Sequence, residues 1–137
     1  MKKTFKFNKL IRSKIYQKMV DNDIEVQVKN LSDNEELINY FKEKIIEEAE
    51  EVYCAKSKDE IIEELADCLE VIRGFAQAIG ENFDSVESVR SSKHTENGGF
   101  YNNIVVDTVS LKPVGELKKF YEYYVRNPEK YPEIEEE

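Results

Sequence analysis

FKEKIIEEAEEVYCAK (residues 41–56) and DEIIEELADCLEVIRGFAQAI (residues 59–79) are the two stretches that decide how this chain folds. Apolar residues recur in both at helical spacing: Phe41, Ile45, Ala49 and Val52 in the first, and Ile61, Leu65, Leu69, Ile72, Ala76 and Ile79 in the second. That periodicity predicts two amphipathic helices. Each carries a pair of acids three residues apart on one flank of its apolar seam. At about 100° per residue, Glu48 stands roughly 85° and Glu51 roughly 145° from the centre of the first seam. Glu64 and Asp67 repeat nearly the same offsets, in the same rotational sense, on the second.

The linker around Lys56-Ser57-Lys58 is too short for anything but an antiparallel hairpin. An antiparallel helix pair has a two-fold axis perpendicular to its plane, so equal offsets of the same sign project from the same side. Reflection of the sequence about Ser57 then sets Glu48 near Asp67 and Glu51 near Glu64. Four carboxylates so close raise one another's pKa unless a cation sits among them. Oxygen-only donors suit a hard cation, and few protein ligands with room for phosphate oxygens suit Mg²⁺ first and Mn²⁺ second. A run such as Glu-Glu-Ala-Glu-Glu is ordinarily a solvated face. The matched spacings, matched offsets and short turn raise this one above that background.

A length of 137 residues, 40% of them apolar, gives room for one domain with one core. The reading is a single helical domain over residues 1–126, followed by an acidic tail over 127–137. Apolar segments are interrupted by charge every few residues, so no membrane span is expected, and the opening MKKTFKFNKL lacks a signal-peptide core. A cytoplasmic location is the expectation. Cys54 and Cys68 fall on the two central helices about seven residues, or roughly 10 Å, apart along the axis. That is beyond disulfide reach, so both are read as reduced. The net charge of −9 argues against binding a nucleic-acid polymer. Residues 1–20 nevertheless hold seven basic side chains and no acid, a distribution that suits a small polyanion as ligand as well as a merely solubilising arm.

Taken in order, Asn8 is a candidate N-cap for a first helix over residues 9–21, with Ile11, Ile15 and Met19 buried and Arg12 at the margin of that face. Ile24 to Lys29 alternate as a half-buried strand does. Ser32 to Glu35 and Ser57 to Glu60 are capping boxes for the two central helices. Gly80 stops the second, Asp84 and Glu87 signal another helix over about 85–96, and Gly98-Gly99 breaks it. FYNNIVVDTV, residues 100–109, has strand character and is expected to pair with residues 24–29 as a small ribbon. Pro113 opens a last helix over about 114–126 carrying Phe120, Tyr121 and Tyr124 as packing or dimer surface. The expected class is mainly α, an antiparallel helical bundle with a small β ribbon.

Glu47-Glu48-Ala49-Glu50-Glu51 followed by Glu64-Leu65-Ala66-Asp67 resembles the paired EExxE and ExxD motifs of the MazG-like, all-α nucleoside triphosphate pyrophosphohydrolases, a superfamily that includes phosphoribosyl-ATP pyrophosphohydrolase. Asn8-Lys9-Leu10-Ile11-Arg12-Ser13-Lys14-Ile15 is similar to the NKLVRDKIP opening of one branch, and Lys93 through Gly98-Gly99-Phe100 to its KxxERGGF segment. The resemblance spans about residues 8–105. It implies hydrolysis between the α and β phosphates of a nucleotide, of house-cleaning type, with Glu48, Glu51, Glu64 and Asp67 as Mg²⁺ ligands. It also implies a water-orienting or proton-accepting role for Glu47, and assembly into homodimers or homotetramers whose neighbouring helices complete the cleft. Arg12, Lys44 and Lys93 are the candidate phosphate contacts. Ser13, Tyr16 and Asn97 depart from the branch pattern, which has Asp, Pro and Arg there. Two further readings stay open: hydrolysis of phosphoribosyl-ATP, and a non-catalytic helical module that binds a protein partner.

Overall fold

The computed structural model describes residues 1–135. The chain divides into two compact units, Met1–Gly98 and Gly99–Glu137. Helices α1 (Ile15–Asp21), α2 (Asn34–Cys54), α3 (Lys58–Ala78) and α4 (Phe83–Asn97) belong to the first unit. The second has a 3-10 turn, Gly115–Leu117, leading directly into α5 (Lys118–Arg126). The class is all-α, with no strand among the described residues.

Local sequence accounts for the central hairpin. Asp33 caps α2 by accepting a hydrogen bond from Glu35 N at 3.0 Å. The cap therefore falls one residue later than the expected Ser32. Ser57 caps α3, accepting from Glu60 N at 3.1 Å, while Glu60 Oε2 accepts from Lys56 N at 2.8 Å. With only Ala55, Lys56 and Ser57 between them, α2 and α3 run antiparallel, and Phe41 stacks on Phe75 with ring centroids 5.6 Å apart. At the far end Gly80, at φ +81°, donates to Gln77 O, and Glu81 N donates to Ala76 O. These bonds close a Schellman motif, which needs the left-handed residue that glycine supplies.

The expected seam of α2 holds for Phe41, Ile45 and Val52, all shielded, whereas α3 turns a different face from the expected one toward α2. Along α3 the shielded positions include Glu64, Asp67, Cys68, Val71 and Phe75; of the expected seam residues Ile72 and Ala76 are shielded, whereas Ile61, Leu65, Leu69 and Ile79 remain 39–53% exposed. Gly74 explains the rotation. A Cβ there would lie 3.0 Å from the Phe41 ring, so its absence lets α2 approach the 71–75 face of α3 closely. The acids consequently stand in the contact face rather than flanking it. α4 packs against α3, is capped by Asn82 accepting from Ser85 N, and sets Phe83 beneath the Arg73 guanidinium at 4.6 Å.

Two expectations are corrected. The first helix begins at Ile15 rather than residue 9, with Lys14 at its cap position and Asn8 at φ +50°. Residues 8–12 are held instead by side-chain bonds to α2 and α3, and those distant partners override the local helical pattern. The β ribbon does not form: residues 24–29 and 100–109 carry no ladder, and Ile24, Val28, Ile104 and Val105 are all more than half exposed. β-branched alternation supplies a surface for pairing, but a strand exists only where a partner strand meets it. In the second unit, Tyr124 and Tyr131 pack edge to face 4.8 Å apart, with Tyr123 about equally close to both at 5.8–6.0 Å. Among the described residues, no helix is long and apolar enough to cross a membrane. Cys54 and Cys68 are both free thiols.

Candidate metal centre

Glu48 and Glu51 leave α2, and Glu64 and Asp67 leave α3, from positions three residues apart that the antiparallel register brings face to face. Each of the four offers a carboxylate oxygen within 4.8 Å of the others. Glu48 is the most enclosed, only 7% exposed, and is the one buried charged residue of the chain among the described residues. Its Oε2 and that of Glu64 are shielded from solvent and have no hydrogen-bond partner. A buried carboxylate oxygen without a donor is expensive, on the order of 1–3 kcal/mol or more when charged. Burial pushes the Glu48 carboxyl above the usual range against the pull of Lys44, with Glu51 and Asp67 adding repulsion. Glu64 is raised first by the hydrogen bond it shares with Glu51, then by burial and the neighbouring acids. Behind them, burial and the same four carboxylates push the Cys68 thiol up.

The donor set fits a hard divalent cation. Oxygens bound to one Mg²⁺ at 2.0–2.1 Å lie at most about 4.2 Å apart, so the widest pair needs well under an ångström of side-chain movement. The two partnerless oxygens are the atoms such an ion would satisfy. Cations of the chain already border the site. Arg12 Nη2 donates to Asp67 Oδ1 at 2.6 Å, and Lys44 Nζ is 3.5 Å from both Glu48 Oε1 and Glu47 Oε2.

Glu47 lies one residue out of phase with the four. Lys9 Nζ donates to its Oε1 at 3.1 Å, and although burial alone would raise its pKa, Lys9 and Lys44 together hold it below the usual range. Lys93 is exposed late in α4 and forms no ion pair with the four acids among the described residues. Of the three expected phosphate contacts, the structure thus brings Arg12 and Lys44 to the cluster and not Lys93. Sequence reasoning missed Lys9 and Tyr40. Tyr40 Oη donates to Asn8 Oδ1 at 2.7 Å and helps lay the 8–12 segment against the hairpin. The only local signal for this was the three-residue spacing of Lys9 and Arg12. No protein-family model, curated protein or solved structure matches this chain.

Proposed function

We propose that this protein is a Mg²⁺-dependent nucleoside triphosphate pyrophosphohydrolase, cleaving the α–β anhydride to give the monophosphate and pyrophosphate. The observation that carries the reading is Glu48: a buried acid with a partnerless oxygen, facing three more carboxylates across a helix seam. Such an arrangement weakens an unliganded hairpin and is explained by a divalent cation (Mn²⁺ being the next best fit). Glu48, Glu51, Glu64 and Asp67 would hold the metal, which when bound screens the polyphosphate and makes water a better nucleophile at neutral pH. Arg12 and Lys44, both already at the cluster edge, neutralise phosphate oxygens, and the Arg12 guanidinium fork suits them. Glu47, kept ionised by Lys9 and Lys44, accepts a hydrogen bond from the attacking water; its depressed basicity suits orienting the water better than removing its proton. Rigid helices fix these groups in relation to one another, which is most of what phosphoryl-group hydrolysis asks of a protein.

Self-assembly belongs to the same proposal. Ile46 and Tyr53 of α2 and Ile61, Ile62, Leu65 and Leu69 of α3 are 39–91% exposed. At about 100° per residue from the buried positions Glu48 and Val71, Ile61 and Leu65 turn to the side of the hairpin away from the acids, and Ile46, Tyr53, Ile62 and Leu69 lie on the outward faces of the two helices. Only Val71 and Ala76 are buried apolar residues among the described ones. A second copy covering those residues supplies the core that one chain does not.

The test is pyrophosphate release from a panel of ribo- and deoxynucleoside triphosphates, with phosphoribosyl-ATP beside them. Glu48→Gln and Asp67→Asn should each lower kcat/KM at least about a hundredfold, roughly 2.7 kcal/mol of transition-state stabilisation. No release from any nucleotide, together with no Mg²⁺ binding by calorimetry, would sink the hydrolase and favour a partner-binding module.

A further inference from the structure

Residues 24–30, Ile-Glu-Val-Gln-Val-Lys-Asn, take no part in the acid cluster. They lead from α1 toward α2 without turn or bend. Ile24 N donates to Met19 O at 3.0 Å, and beyond it no backbone group of the segment is hydrogen-bonded within the chain among the described residues. Apolar and polar side chains alternate along it. Val26 is partly shielded by its own chain, whereas Ile24 and Val28, of the same alternating set, are 51% and 54% exposed. Two ion pairs tie the segment down: Lys2 Nζ to Glu25 Oε2 at 2.7 Å, and Lys29 to Glu36 in the first turn of α2. A pinned, straight, β-branched stretch with a bare backbone is a strand edge that lacks its neighbour.

We propose that residues 24–30 pair, antiparallel, with the same residues of a second copy of this chain. The segment is its own complement in one register. With a two-fold axis through Gln27, Val26 stands opposite Val28 and Glu25 opposite Lys29, and each pair occurs twice. Ile24, Val26 and Val28 of both copies then share one face of the ribbon, and on the other face each glutamate meets a lysine. Cross-strand pairs of both kinds favour the ribbon. Residues 100–109 are a poorer partner: the register that sets Val26 against Val106 and Val28 against Ile104 also sets Glu25 against Asp107, two like charges directly opposite. A two-stranded ribbon alone is marginal in water. Here each strand is backed by its own chain at Val26 and held to α2 through Lys29, whose ammonium has donors enough for Glu36 and for the partner's Glu25. The Lys2 pair with Glu25 is exposed on both sides and yields readily to the new contact. The ribbon uses none of the apolar residues of α2 and α3 named above. A second, different two-fold contact of this kind is what carries a dimer to a tetramer.

The test is disulfide trapping in the full chain. Gln27→Cys, at an exposed position, is combined with Cys54→Ser, which removes the exposed native thiol. On the axis the introduced thiol faces its own copy, with Cα atoms about 4.5–5.5 Å apart, inside the disulfide range of about 4.4–6.8 Å. Lys29→Cys in the same background is the control, since its two copies lie about 13 Å apart along the strands, beyond reach. Mild oxidation at tens of micromolar should link the Gln27→Cys chains through the introduced thiol, located by peptide mass, at least about tenfold faster than the Lys29→Cys chains. Adding Glu25→Lys sets lysine against Lys29 and should slow the linkage about tenfold, the scale of two cross-strand pairs turned from attraction to repulsion. Adding Lys29→Glu to that chain should restore the rate. No linkage, equal linkage at positions 27 and 29, or a Glu25→Lys chain that Lys29→Glu fails to rescue each overturns the ribbon. The readout needs neither metal nor turnover, so the hydrolase reading stands or falls separately.

Discussion

Glu48 and Glu64 stand above the usual carboxylate range in the folded chain, so the folded state binds protons that the unfolded state releases. Stability therefore falls as pH rises from the ordinary carboxylate value through the raised ones, and the loss is complete above them. Glu47 and Glu87 are lowered and act with the opposite sign below that window. Thermal scans in EDTA should show the melting temperature falling as pH climbs through the window to neutrality. Glu64→Gln should flatten that slope and melt higher than the parent at neutral pH. Added Mg²⁺ should raise the parent's melting point far more than the variant's; equal rises in both would count against the four-acid centre. Arg12 gives a second prediction at this scale. Its ion pair with Asp67 is substantially exposed on both sides, and such pairs contribute about 0–1 kcal/mol. Arg12→Ala should thus leave the melting point within a few degrees while raising KM for the triphosphate about tenfold. A large stability loss with KM unchanged would assign Arg12 to the fold instead.

At the scale of elements, the hairpin turn was readable because its signals are local. Ser57 and Glu60 specify a helix start wherever they occur, and the bonds at 3.1 and 2.8 Å are the ones that chemistry demands. Ser57→Ala should cost about 1 kcal/mol in urea unfolding. The rotation of α3 was not readable in this way. It follows from Gly74 meeting Phe41, a contact between residues far apart in sequence that no periodicity encodes. Gly74→Ala tests the contact because two effects oppose: helix propensity gains about 1 kcal/mol, whereas overpacking costs about 1–3 kcal/mol. The Phe41 ring is held by its stack on Phe75, so it has little room to give, and a net loss is expected. A net gain would mean that the ring moves freely and does not fix the rotation. The expected first helix and ribbon erred for one reason. Their patterns were right for helix and strand, but Asn8, Lys9 and Arg12 found partners elsewhere, and residues 24–29 and 100–109 found no strand to pair with.

At the scale of the molecule, the first unit lacks an interior of its own. Its exposed apolar residues, Ile61 and Leu65 on the side away from the acids and Ile46, Tyr53, Ile62 and Leu69 on the outward helix faces, face water at a cost of about 25 cal/mol per Å². Light scattering after size-exclusion chromatography should report a dimer or tetramer, and Leu65→Glu should shift it toward monomer. Because Leu65 stands on the side of α3 away from the acid turn, the Mg²⁺ affinity of that dissociated variant reports whether one hairpin alone assembles the centre. A parent that is monomeric at tens of micromolar would refute self-assembly through these residues.

Sequence by itself determined the helical class, the hairpin and the convergence of Glu48, Glu51, Glu64 and Asp67. Each of these follows from short-range regularities: a 3.6-residue period, a cap, and a linker too short for more than one topology. Tertiary structure alone decided how deeply the acids sit and what surrounds them. Burial of Glu48 depends on the rotation that Gly74 and Phe41 impose, and the company of Arg12, Lys9 and Tyr40 depends on where an irregular N-terminal segment comes to rest. The bonds that hold that segment join residues 32 to 55 positions apart. Such contacts are set by the balance of packing and charge over the whole unit, and no local pattern carries them.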